Sequence, residues 1–362
     1  GLGDVYKRQQ LGFAQFEKIA TSFPDLNTAH VIDTGQALQA LALGYDWLYN
    51  GFTQEQKKFA VKVLNSNLVI LGDALYGRLS SGSQGAAEWR SIKLMNNYNT
   101  IVNSGITLAA LATLEYETDA AFRYIADSTR SMEYSMQMFP PGGAWMEGVA
   151  YLSFVMQSFV PWALNMEKNF EQSYNILDGQ GMEGILDFMI SVAGPQGINQ
   201  MGDGANSREY SWDSYFYLAK RYDNPVGAYM RWNELHSGKV TPTFLDIISY
   251  DFEAEKLDET VMENMPKMQV IDGMEIYSIR DTYSKDEANM YFSAHFGTSS
   301  GYHQHWDCGT FVLDLNGLRW AYDLGNDSYL LQNELGYPGY AIFRKRAEAH
   351  NILVLNPSAY GN

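Results

Sequence analysis

Two of the six histidines stand one residue apart in the stretch Gly301-Tyr302-His303-Gln304-His305-Trp306-Asp307-Cys308-Gly309. Residues two apart on an extended strand face the same side, so His303 and His305 are expected to present both imidazoles to one site. Imidazole exchanges protons near neutral pH, which suits such a pair to acid–base work. Two surface histidines at a strand entrance is the plainer alternative. Three other places carry groups that could do chemistry. Glu88-Trp89-Arg90 is followed by Asn96-Asn97-Tyr98-Asn99, three asparagines in four residues, which supply amide donors or helix caps. Gly142-Gly143-Ala144-Trp145-Met146-Glu147-Gly148-Val149-Ala150-Tyr151 reads as a turn entering a helix, with Glu147 and Tyr151 on one face. Met201-Gly202-Asp203-Gly204 has turn chemistry, and most such loops are only turns. Grouped with the histidine stretch is a segment near the end, where Arg344 and Arg346 share a face if their run is extended, and His350-Asn351 follows.

The elements that must position these groups change character along the chain. From Val31 to about Ile190 the periodicity is helical: 35–48, 54 towards 76 behind a Thr53–Gln56 capping box, 99–114, 119–138 and 145–166, then shorter helices at 181–192 and 212–222. Helix after helix with short connections implies an all-α unit, either a toroid of antiparallel pairs or a bundle. After Pro242 the pattern becomes strand-like, at 268–280, 289–295, 308–315, 318–323 and 351–355, with Asp-Gly and Asn-Gly turns. Asn316-Gly317 is the strongest of these signals, because both turn residues must take positive φ. A boundary near 245 separates a helical domain, 1–245, from an antiparallel β domain, 246–362, that looks unfinished. Residues 1–10 are polar and aperiodic and are expected to be an assembly remnant outside the fold. The chain is expected to be a fragment cut at both ends, so its lack of a signal peptide is silent on secretion.

A chain of 362 residues with 46% apolar content can bury a large core. The net charge of −17 repels nucleic acid and anionic membranes and counts mildly against an anionic polymer as well. One cysteine, Cys308, excludes an internal disulfide framework and any multi-cysteine zinc site. No run approaches the roughly 18 apolar residues of a membrane span. The 25 tyrosines and 8 tryptophans suit sugar stacking, and core packing equally.

Taken in order, Asn-Asn-Tyr-Asn, the Gly-Gly-x-Trp-x-Glu-Gly-x-x-Tyr run, His-x-His-x-Asp-x-Gly-x-Phe, Asp-x-Gly, and Phe-Arg ahead of His-Asn resemble the heparinase II/III-type polysaccharide lyases, a group that includes alginate lyases of similar build. The resemblance covers roughly Trp89 to Leu355. It implies an α+β multidomain fold, an incomplete (α/α) toroid followed by an antiparallel β-sandwich, with an acidic polysaccharide or oligosaccharide in the cleft between. The reaction implied is β-elimination at a uronic acid. By resemblance Tyr151 takes the C5 proton, protonates the leaving oxygen, or does both. Asn97 binds the uronate carboxylate, and His303 is the second acid/base residue. Arg90, Asn96, Asn99, Trp145, Glu147, Arg344 and Arg346 are the expected substrate contacts. His305, Asp323 and His350 match the ligands of a structural zinc. Location in the periplasm or outside the cell is implied in the same way. Some relatives carry a histidine in the asparagine segment, and this chain has none.

The chemistry fits the residue types. Removing the C5 proton builds charge on the carboxylate, so a donor aimed there must strengthen as reaction proceeds. A tyrosine with pKa about 10 costs roughly 4 kcal/mol to ionise at pH 7, and Arg90, Arg346 or protonated His303 could lower that cost. The zinc set is harder to reach. Counting out from Asn316-Gly317 places Asp323 opposite Thr310, and His305 lies on the order of 17 Å further along a strand. The segment must fold back to close that gap, and Asp307 is a competing carboxylate. Two other readings stay open. One is a toroidal glycoside hydrolase using Glu147 with Asp203 or Asp213; the other is a non-catalytic carbohydrate-binding relative.

Overall fold

The computed structural model describes residues 2–22, 30–76, 95–170, 174, 176–204, 212–238, 240–283, 289–298, 301, 303–331 and 342–355. Contacts divide the chain into two compact units, 1–137 with 158–177 and 138–157 with 178–362. The boundary near 245 marks the change from helix to strand, whereas by contact the helices beyond 178 group with the sheet.

The first unit holds α1 (Leu2–Ser22), α2 (Val31–Leu48), α3 (Gln54–Leu75), α4 (Asn97–Ala112) and α5 (Thr118–Met136). Residues 2–10, expected outside the fold, form the first turns of α1. The Thr53 capping box forms as expected: Gln56 N donates to Thr53 Oγ1 at 3.2 Å, and Thr53 N donates to Gln56 Oε1 at 2.8 Å. The small residues of α2 and α4 let two backbones approach. A Cβ at Gly105 would stand 2.1 Å from Gly35 O, so this crossing admits no side chain. A buried polar seam joins α4 to α5. Thr100 meets Ser135 at 2.8 Å, Asn103 donates to Ser131 Oγ at 3.0 Å and Thr107 meets Ser128 at 2.7 Å. Satisfied hydrogen bonds of this kind fix the helix register.

Helix α6 (Val149–Phe170) starts four residues later than periodicity suggests. Gly148 takes φ +86° there, a left-handed conformation that stops helix from extending backwards. Glu147 therefore lies outside the helix that carries Tyr151, and the expected shared helical face does not exist. The second unit continues with α7 (Ile185–Ser191), the hairpin β1 (Ala193–Gly194) and β2 (Gly197–Ile198), α8 (Tyr215–Arg221), α9 (Pro225–His236) and α10 (Phe244–Ser249). A buried bidentate pair, Arg231 on Asp246 at 2.7 Å through each nitrogen, ties α9 to α10.

The strands β3 (Met268–Ile271), β4 (Ile276–Arg280), β5 (Tyr291–His295), β6 (Phe311–Leu315) and β7 (Leu318–Ala321) form one antiparallel sheet in sequence order. Asn316 and Gly317 both have positive φ, as the hairpin between β6 and β7 requires. One face of the sheet packs on α7 and the small hairpin. Arg280 donates to the carbonyls of Ile190, Ser191 and Ala193, which completes hydrogen bonds left open at the end of α7. Arg319 does the same for Gly197 and Ile198 and bonds Asp314. The other face is apolar and open at β3 and β4, where Met268, Val270, Tyr277 and Ile279 are exposed and paired across the two strands. The expected strand at 351–355 is bend and coil. No described helix is long and apolar enough to cross a membrane.

Candidate active site

The histidine segment is a loop, not a strand. His303 has φ +61°, which breaks the alternation on which the shared-face expectation rests. Both imidazoles nevertheless reach one group, the buried carboxylate of Asp203. His303 Nδ1 lies 3.0 Å from Asp203 Oδ2, and His305 Nε2 lies 2.9 Å from Oδ1. Lys345 Nζ is 2.6 Å from Oδ1, and the Tyr329 hydroxyl donates to Oδ2 at 3.2 Å. The two loops are joined through their backbones as well. Asp203 N donates to His303 O at 2.7 Å, and Gly202 N donates to Asp307 Oδ2 at 2.9 Å.

Above this hub sits Tyr151. Its ring stacks on the His303 imidazole with centroids 3.9 Å apart and planes 15° from parallel. Its hydroxyl pairs with that of Tyr329, which also lies 3.2 Å from His303 Nδ1. A phenol, an imidazole, a second phenol and a carboxylate thus form one connected set. Burial opposes ionisation of Asp203, but the bonds from His303, His305 and Lys345 outweigh it and hold the carboxyl far below the usual range. Burial, the bond to Tyr151 and the charge of Asp203 together push Tyr329 far above the ordinary phenol range.

The remaining expected site residues are distributed more widely. Asn97 is buried in the first turn of α4, in the first unit. Asn96 caps that helix, accepting from Asn99 N at 3.1 Å. Asn99 is wholly buried, donating to Ser131 O at 3.0 Å and accepting from Asn103, so it belongs to the α4–α5 seam rather than to an open site. Trp145 is equally buried, its ring against Phe139 and its Nε1 donating to Glu147 Oε2 at 3.1 Å. Neither of that pair offers a face to a sugar. Arg344 lies within a 3-10 turn, Phe343–Lys345, and Arg346 caps its end, so the two do not share an extended face. Arg344 donates to the carbonyls of Leu324 and Asn326, and Arg346 holds Glu348. Arg90 lies outside the described residues. Lys345 and Tyr329 are the members that sequence reasoning missed, and it reads Asp203 only as a turn residue or a hydrolase carboxylate. Asp203 sat in a turn motif, Lys345 was hidden between two arginines, and nothing in its neighbourhood marks Tyr329.

The fold-back that the zinc set requires does occur. Trp306 N bonds Lys345 O, Thr310 N bonds Asp307 O, and Gly309 turns with φ +96°. His305 and His350 come to 5.4 Å between ring centroids. Asp323 accepts from His350 Nδ1 at 2.7 Å and from Thr310 Oγ1 at 3.2 Å. Burial disfavours charge on both Asp323 and His350, yet their mutual bond lowers the first and raises the second. His305 Nδ1 and His350 Nε2 are left buried with no hydrogen-bond partner among the described residues. Two such lone pairs suit a metal chemically. Among the described residues, however, no three His, Cys, Asp or Glu side chains are grouped so as to hold an ion.

No protein-family model matches the sequence, and no curated protein does. Solved structures do. A mutant of the heparan sulfate lyase HepC from Pedobacter heparinus superposes with TM-score 0.56 at 12% identity, over 95% of this chain and 49% of that one. A heparinase III, the BT4657 gene product, gives 0.53 at 14%, over 92% and 46%. The chain has the fold of the heparinase-type lyases. It spans about half the length of those structures.

Proposed function

We propose that the chain is part of a polysaccharide lyase that cleaves a uronate-containing polymer, a glycosaminoglycan or alginate-like chain, by β-elimination. The observation that carries this reading is the stack of Tyr151 on His303, with the tyrosine hydroxyl wired through Tyr329 to Asp203. A phenol and an imidazole in contact support the reading that the two could act on one sugar as a paired acid and base. In the proposed reaction the C5–H bond breaks, its electrons form the C4–C5 double bond, and the C4–O bond breaks as the leaving oxygen gains a proton. Tyr151 and His303 exchange those protons, and Asn97 stays in the proposal as the carboxylate donor that the resemblance implies. A hydrolase reading built on Glu147 with Asp203 has less support. Asp203 is saturated by four donors, and Glu147 is buried against Trp145.

The test is ultraviolet absorbance during digestion of a panel of uronate polymers. A lyase creates an absorbing unsaturated end; a hydrolase creates only reducing ends. Tyr151→Phe keeps the ring stack and removes the hydroxyl, so it should cut the rate about 100-fold or more with the fold unchanged. Full activity in that variant refutes the assignment.

Two finer features belong to the same proposal. Zinc would be held by the free nitrogens of His305 and His350, with Asp323 as a ligand or as the carboxylate orienting His350; its role would be structural. Metal analysis of the purified protein and the melting curve of His305→Ala decide this, and no zinc with an unchanged curve rejects it. An incomplete (α/α) toroid followed by a β-sandwich is the implied architecture, with the exposed face of β3 and β4 as the surface a second sheet would cover. An experimental structure of the protein with that face open to solvent would remove the sandwich. Export to the periplasm or beyond is proposed with it, and cell fractionation checks that.

A further inference from the structure

Asp203 touches more of the proposed machinery than any residue assigned to it, and each contact has a direction. A carboxylate carrying a lysine ammonium at 2.6 Å is ionised and only accepts hydrogen bonds. Every ring nitrogen that faces it must therefore carry the hydrogen. The nitrogen facing it from His303 is Nδ1, and from His305 it is Nε2. We infer that Asp203 is a positioning residue that sets the tautomers of both histidines, fixing His303 as Nδ1–H with a basic Nε2 and His305 as Nε2–H with a bare Nδ1.

The consequences differ for the two rings. In His303, which is partly open to solvent, the tautomer leaves Nε2 with a lone pair, the form that can accept a proton from a substrate carbon. In His305, which is wholly buried, it leaves bare the same Nδ1 that has no partner among the described residues. One carboxylate thus prepares two rings for different tasks by accepting one hydrogen bond from each. The loop geometry serves this arrangement. Gly202 takes φ +60°, and a Cβ there would stand 2.2 Å from His303 O, so the carboxylate loop and the histidine loop meet backbone to backbone. The role assigned to His303 rests on the lyase reading; the tautomers do not.

The experiment is nitrogen-15 NMR of the 362-residue chain with labelled histidine, in which two-bond couplings distinguish Nδ1–H from Nε2–H rings. His303 is assigned by loss of its signals in His303→Gln. The unmodified chain should show His303 as Nδ1–H. In Asp203→Asn the amide oxygen stays with Lys345 and His305, its NH2 faces His303, and the ring should switch to Nε2–H. With a cleaved polymer in hand, the same variant should lose about 100-fold in kcat with KM changed less than about threefold. An Nε2–H signal for His303 in the unmodified chain overturns the inference, even if Asp203→Asn fails to fold. An unchanged tautomer in a folded Asp203→Asn overturns it too. The spectrum needs no substrate, so a chain inactive on every polymer sinks the lyase reading while the tautomers still decide the role of Asp203.

Discussion

Replacing Lys345 by Met tests whether the hub at Asp203 is held by charge. The lysine is buried, with 7% of its side chain exposed, and its partner is buried to 1%. Removing one member of a buried pair typically costs about 3–5 kcal/mol, because the other charge is left without compensation. Here Asp203 keeps three donors, His303, His305 and Tyr329, so the low end of that range, about 3 kcal/mol, is expected. For a cooperative unit of roughly 200 residues this lowers Tm by about 7 °C. Calorimetry of Lys345→Met, Asp203→Asn and the double variant gives the coupling. The double variant should cost about 2 kcal/mol less than the sum of the singles, since the second removal no longer strands a charge. Additive costs, or a drop in Tm under about 2 °C, would refute the reasoning.

Gly202→Ala should break the contact between the two loops, since its Cβ would meet His303 O at 2.2 Å. Gly238→Ala, also at positive φ but with no neighbour within 4 Å, should cost only about 1 kcal/mol; similar melting curves for the two variants would contradict this. Asp187 is raised by burial, against the lowering effect of Asn224. A carboxyl whose folded pKa exceeds its unfolded value favours folding most when protonated, and that contribution is lost as pH rises through the folded value. Asp187→Asn should therefore raise Tm at pH 7 and leave it unchanged near pH 3, and an equal gain at both would reject the assignment.

The sequence made the secondary structure legible wherever the cause is local. The Thr53 box and the Asn316-Gly317 turn depend on neighbours three residues away or fewer, and both form as read. Periodicity failed where one glycine changed the backbone. Gly148 delays α6 by four residues, and so separates Glu147 from the helix of Tyr151. The site is a different case. The His-x-His spacing drew attention to the right pair for an incomplete reason, because His303 leaves the strand conformation altogether. What brings the two rings together is a carboxylate about a hundred residues earlier and a lysine about forty residues later. No spacing rule links Asp203 to His303. The polar seam between α4 and α5 misled in the opposite direction, since an asparagine cluster looks the same whether it faces a ligand or a neighbouring helix.

The charge pattern narrows how the proposed reaction can work. The molecule carries a net charge of −17, and the cations beside the hub already have internal work. Lys345 is held on Asp203, Arg344 on the carbonyls of Leu324 and Asn326, and Arg346 on Glu348. Among the described residues, a uronate carboxylate would then be met chiefly by neutral groups on first binding, Arg90 lying outside them. That condition favours catalysis over binding. A donor whose charge appears only as the reaction proceeds stabilises the transition state without tightening the bound substrate. A His303 ring held as Nδ1–H with a bare Nε2 carries no charge until it takes a proton. If its Nε2 takes the C5 proton in the proposed reaction, it would become a cation, still bonded to Asp203, as negative charge builds on the substrate carboxylate. The stabilisation is thereby concentrated in the step that needs it, and Asp203 contributes the counter-charge that makes a protonated imidazole tolerable in that position.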